Sequence, residues 1–74
     1  MNTNHIKWIK DTDIRVYDAN ENIIDVRRWK FNRRNINKIA YEYDAEIVNY
    51  QHDICFAKLR DRIGRILFVA SIGR

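Results

Sequence analysis

Between Arg27 and Arg34 the chain reads Arg-Arg-Trp-Lys-Phe-Asn-Arg-Arg, which sets five cations and two aromatic rings within eight residues. Basic side chains neutralise phosphates and aromatic faces stack on unpaired bases, so this mixture is the footprint of a nucleic-acid contact surface. An acidic protein groove would be served by the same chemistry. The chain holds 14 Lys and Arg against 10 Asp and Glu, for a formal net charge of +4. Outside the stretch nine cations face ten carboxylates, so the whole positive surplus resides here. Five cations with no interspersed acid repel one another, which argues for a function rather than for incidental solvation. Trp29 and Phe31 keep two open roles, as stacking platforms or as core residues pinning the preceding hairpin to the following helix. Burial is the commoner fate of large aromatics.

A second group of cations, Lys58, Arg60, Arg62 and Arg65, is relieved only by Asp61. It reads as a charged edge hairpin that resists aggregation. Residues suited to bond-making chemistry are sparse. His52 and Cys55 have ligand-like spacing, but two residues do not make a metal site, and His5 lies near a terminus expected to fray over residues 1–5. Asp53 and Lys58 fall on opposite faces of a strand and lack the Glu-X-Lys of a nuclease between them. Cys55 has no base at a recognisable spacing, and its neighbours Ile54 and Phe56 suggest burial, which makes a thiol inert. The expectation is therefore a protein without catalytic residues, metal or cofactor. Glu42, Asp44 and Glu46 form a small acidic face, read as solvated carboxylates with head-to-tail self-association as the alternative.

These residues must be positioned by a small number of elements. Ile14-Arg15-Val16-Tyr17 and Ile23-Ile24-Asp25-Val26 flank Asp18-Ala19-Asn20-Glu21-Asn22, a turn signal between two β-branched runs that predicts a hairpin. Without a bulge, alternation puts Ile14, Val16, Ile24 and Val26 inward. Arg15, Tyr17, Arg27 and Trp29 then share an exposed face, with Arg28, Lys30, Arg33 and Arg34 completing the binding surface. Ile6–Lys10 is a further candidate strand. Ile36, Ile39, Ala40 and Tyr43 keep the i, i+3, i+4, i+7 spacing of a helix, with Asn32 or Asn35 as its cap and Asp44 as the left-handed residue that ends it. Three strands follow, at 45–50, 54–60 and 65–72. The last two are joined by Asp61-Arg62-Ile63-Gly64 as a type I turn with Gly64 in a bulge. The expected fold is α+β: an antiparallel ββαβββ sheet with one helix packed on one face. In the last strand Ile66, Phe68, Ala70 and Ile72 point one way while Leu67 and Val69 point the other, so both faces are apolar. One helix covers only one of them. Strong curling of the sheet, or a homodimer through the uncovered face, is expected to close the second.

A chain of 74 residues builds one domain with an expected stability of only about 3–5 kcal/mol. The single cysteine excludes an intrachain disulfide, and the polar start carries no apolar run suited to a signal peptide or membrane span, so a cytoplasmic setting is expected. Two family resemblances enter at this point. Leu59-Arg60-Asp61-Arg62-Ile63-Gly64-Arg65-Ile66-Leu67-Phe68 is similar to the strand-turn-strand of RelE-type and HigB-type toxin ribonucleases, in which such basic residues hold mRNA. The chain departs from them in placing a hairpin and one helix where they have a strand and two helices. Its size, single domain and one charged face also resemble, in style, phage and mobile-element inhibitors such as anti-CRISPR proteins. Three functions are therefore in view. The first is a non-catalytic protein engaging nucleic acid or a nucleic-acid-processing machine; the others are a contact inhibitor of host defence and a toxin-like ribonuclease.

Overall fold

The computed structural model describes residues 13–71 and shows a single small α+β domain. Its elements are β1 (Ile14–Tyr17), β2 (Ile23–Arg27), α1 (Arg33–Glu42), β3 (Ala45–Gln51), a 3-10 turn (His52–Ile54), β4 (Phe56–Asp61) and β5 (Ile66–Ala70). The expected strand at Ile6–Lys10, the frayed residues 1–5 and Ile72 lie outside the described residues. No helix among the described residues is long and apolar enough to cross a membrane.

The five strands form one antiparallel sheet in the order β2-β1-β5-β4-β3. The last strand returns to pair with the first, with Val16 opposite Val69 and Tyr17 opposite Phe68. The segment containing α1 carries the chain from the β2 edge to the β3 edge. The sheet is open rather than strongly curled: among the described residues β2 and β3 are the two edges, with three strands between them and no pairing of one to the other. Closure needs those edges to meet, and the two register shifts, at Val16/Tyr17 and at Ile47/Asn49, bend the sheet only locally.

Local chemistry accounts for the turns. Asp18 Oδ1 accepts the N–H groups of Asn20 and Asn22 at 2.9 Å each, and Glu21 takes the left-handed position at φ 67°. In the β4–β5 turn, Asp61 Oδ1 accepts the N–H groups of Ile63 and Arg65, and Gly64 sits at φ 88° as the bulge requires. Asn32 caps α1, its Oδ1 accepting the Asn35 N–H at 2.8 Å. Asp44, at φ 54°, ends it with its N–H on the Tyr41 carbonyl.

The helix covers one sheet face. Ile36, Ile39 and Ala40 bury against Ile14 and Val16 of β1, Ala57 and Leu59 of β4 and Leu67 and Val69 of β5, and Phe31 completes this core. The open face carries Tyr17, Phe56, Lys58, Ile66, Phe68 and Ala70, all half-buried, with Phe56 and Phe68 stacked at 5.9 Å. The opposite orientation of Leu67/Val69 and Ile66/Phe68/Ala70 is the one expected from the sequence.

Candidate nucleic-acid interface

The first hairpin contains the bulge that simple alternation leaves out. Val16 stands opposite Asp25 and Tyr17 opposite Ile23, so Ile24 is the extra residue and the return strand is turned over. Asp25 and Arg27 share the helix side with Ile14 and Val16, while Val26 joins Arg15 and Tyr17 on the open side. The shared exposed face expected for Arg15, Tyr17, Arg27 and Trp29 is therefore not formed. Arg15 is only 8% exposed and has interactions of its own.

Arg27 serves the fold. Its guanidinium donates to Asp25 Oδ2 at 3.0 Å through Nε and grips the Glu42 carboxylate with both terminal nitrogens. Asp25 also accepts the Val26 N–H at 2.8 Å and the Tyr43 hydroxyl at 3.1 Å, which locks the end of α1 to β2. Partial burial works to raise the Asp25 carboxyl, but the bonds from Arg27, Tyr43 and Val26 outweigh it and hold it below the usual range. Burial first, and then the bond to Asp25, push the Tyr43 phenol up to about 12. Glu42, chiefly, and Asp25 raise the Arg27 guanidinium above its ordinary value.

The arch from Arg28 to Asn32 and the first turn of α1 carry the rest of the predicted set. This segment is tied down on its inner side. Asn35 Nδ2 donates to the Lys30 carbonyl at 2.7 Å, and Phe31 is buried with its ring stacked on Tyr50, 5.5 Å between centroids and 12° between planes. Trp29 is half-buried against the core, with Arg27 5.1 Å and Lys38 5.5 Å from its ring centroid. Phe31 takes the packing role, and Trp29 packs on the core through part of its surface. Arg28, Lys30, Arg33 and Arg34 are left exposed on the outside, and among the described residues no carboxylate pairs with any of them. The Arg33 guanidinium lies over the Tyr50 ring, 4.5 Å from its centroid, which helps order it while its N–H donors have no carboxylate partner among the described residues.

The electrostatics of α1 are inverted relative to its dipole. The helix begins Arg33-Arg34, ends on Glu42, and has no acid in its first turn and no base in its last. The dipole favours the reverse, so the cations stand where the peptide groups already present partial positive charge. The result is a concentrated anion-attracting end on a rigid element.

The second basic group is arranged differently. Arg60 pairs with Glu46, Arg62 Nε with Asp44 at 2.8 Å and Arg65 Nε with Asp61 at 2.9 Å, leaving Lys58 alone without a carboxylate partner in this group. The cations that the toxin resemblance would assign to RNA, Arg60 and Arg65, are thus already held within the chain. The acidic face is engaged in the same way, since Glu42, Asp44 and Glu46 each hold an arginine.

Cys55 is half-buried at φ 53°, short of the full burial its neighbours suggest, and its thiol donates to the His52 carbonyl at 3.7 Å. His52 Nδ1 lies 2.9 Å from the Tyr50 hydroxyl. No group of three or more His, Cys, Asp or Glu able to hold a metal ion occurs among the described residues. Sequence reasoning missed Tyr50 and Lys38 as parts of the surface. Lys38 follows Arg34 by one helical turn and was findable by that spacing. Tyr50 carries no local signal, because only the path of β3 beside α1 brings it under Arg33. No protein-family model, curated protein or solved structure matches the chain.

Proposed function

We propose that this protein is a non-catalytic nucleic-acid-binding domain whose contact surface is the arch and helix start formed by Arg28, Lys30, Arg33 and Arg34. One observation supports this reading above the rest. The chain pairs Arg27, Arg60, Arg62 and Arg65 with carboxylates, yet leaves these four neighbouring cations exposed and without a carboxylate partner among the described residues. Clustering them at the positive end of a helix costs stability, and an anionic partner recovers that cost on binding. The single cysteine accords with a cytoplasmic setting. Titration of the protein with fluorescent oligonucleotides at low salt tests the proposal. Micromolar or tighter binding is expected, lost when all four cations are changed to Gln with the melting temperature maintained. Absence of binding at low salt removes the proposal. That same outcome favours a second reading, contact inhibition at the acidic groove of a nucleic-acid-processing enzyme by a phage-type or mobile-element-type protein, because the same four cations would serve it.

A further inference from the structure

Resting on the nucleic-acid reading, we infer that this surface takes the sugar-phosphate backbone alone, without base stacking and without reading sequence, and that it prefers duplex to single strand. The aromatic content of the stretch from Arg27 to Arg34 suggests stacking, but among the described residues the rings in contact with the arch, Phe31, Tyr50 and Trp29, are engaged elsewhere, and the exposed Tyr41 lies about two helical turns beyond Arg34. Phe31 is 5% exposed and stacked on Tyr50. Tyr50 has Phe31 stacked on it and the Arg33 guanidinium over it, and its hydroxyl is engaged with His52. Trp29 packs on the core and has two cations over its ring, Arg27 and Lys38. Arg27 is anchored there by Asp25 and Glu42, so a base seeking the ring must displace a cation that two carboxylates hold in place.

The groups that remain offer charge and in-plane N–H donors. Arg33, held over Tyr50, presents a planar guanidinium fork that suits the paired oxygens of a phosphate, and Arg28, Lys30 and Arg34 add charges around it. Such a set measures phosphate density, which is greater along a duplex than along one strand. With no free ring beside these four cations among the described residues, and no donor set aimed at base edges, the surface has no means of telling one sequence from another.

The full-length protein is titrated with a short mixed-sequence DNA duplex and with each separated strand across a range of salt concentrations. Four phosphate contacts give an expected slope of log affinity against log salt of about −3.6 for duplex and about −2.8 for single strand. Duplex should bind more tightly, and permuting its sequence should change affinity less than about twofold. Trp29→Leu should leave affinity within twofold, whereas a stacked base would make the loss roughly fivefold to a hundredfold. Tighter binding to single strands, or marked sequence preference, overturns this inference and leaves the nucleic-acid reading standing; the strand comparison on the native protein decides this even if the Trp29 variant does not fold. Binding to neither probe removes both.

Discussion

Arg34→Glu is expected to make the protein more stable and less able to bind. Arg34 is the second residue of α1, exposed, with no carboxylate or ring partner among the described residues. Its charge lies beside the positive end of the helix dipole, and a charge in the first turn is worth about 0.3–1 kcal/mol of either sign. Reversal removes one unfavourable interaction of that size and installs a favourable one. It also replaces like-charge repulsion with Lys38, four residues on, by a Glu-to-Lys pair in the better orientation, worth about 0.2–0.5 kcal/mol. Taking the lower ends of these ranges, the combined gain is about 1 kcal/mol, which for a domain of this size raises the melting temperature by about 4–8 °C. Thermal melts followed by far-UV circular dichroism give the stability, and oligonucleotide titration gives the affinity. Binding should weaken, and the salt slope should fall by about one phosphate equivalent. A melting temperature that stays level or drops refutes the reasoning, because Arg34 would then be contributing to the fold rather than being carried at its cost.

Arg27→Ala should show the opposite pattern, a loss of about 1–2 kcal/mol in urea unfolding with affinity unchanged within twofold, since its hydrogen bonds go to Asp25 and Glu42. Arg33→Lys keeps the charge but loses the planar fork over Tyr50, so affinity should fall about threefold to tenfold, whereas Arg28→Lys should change it little. Asp25 and Glu42 are both held below their usual carboxyl values, so their stabilisation is present above the unfolded-state values near pH 4 and is lost as pH falls through the lower folded-state values. Tyr43 runs the other way: stabilisation is present below pH 10.0 and lost as pH rises toward about 12. Urea midpoints measured across pH should show both limbs, and Asp25→Asn should shrink each. Ile39 is fully buried, so Ile39→Ala, at about 2–5 kcal/mol, should abolish a cooperative transition in so small a domain, while Ile39→Val, at about 0.5–1.5 kcal/mol, should retain one.

Much of the fold is legible along the chain because its signals are local. The spacing of Ile36, Ile39, Ala40 and Tyr43 sets the helix, Asn32 its cap and Asp44 its end. Asp18 and Asp61 organise their turns by bonding backbone a few residues away. The alternation of β5 correctly separates the helix-facing Leu67 and Val69 from Phe68 on the other side. The hairpin faces were not legible, because the slip at Ile24 depends on how two strands settle against each other, and one residue of slip exchanges the sides of Arg27 and Val26. The binding surface was legible only in part. Its charge surplus is a count, but which cations are neutralised depends on carboxylates far along the chain, such as Glu42 for Arg27 and Glu46 for Arg60.

From residue types and spacing alone, this protein was bound to be a small basic α+β domain, with one amphipathic helix and its excess charge concentrated between the second strand and that helix. Periodicity, turn chemistry and net charge are properties of neighbouring residues, and they survive any rearrangement of the chain in space. Tertiary structure decided which of those charges are available: the passage of the chain across to β3, its pairing with β4 and the bulge at Ile24 bring distant carboxylates to three arginines, Arg27, Arg60 and Arg62, and rings to Arg33 and Lys38. Those are encounters between distant segments, set by packing around one core, and no reading confined to neighbours contains them.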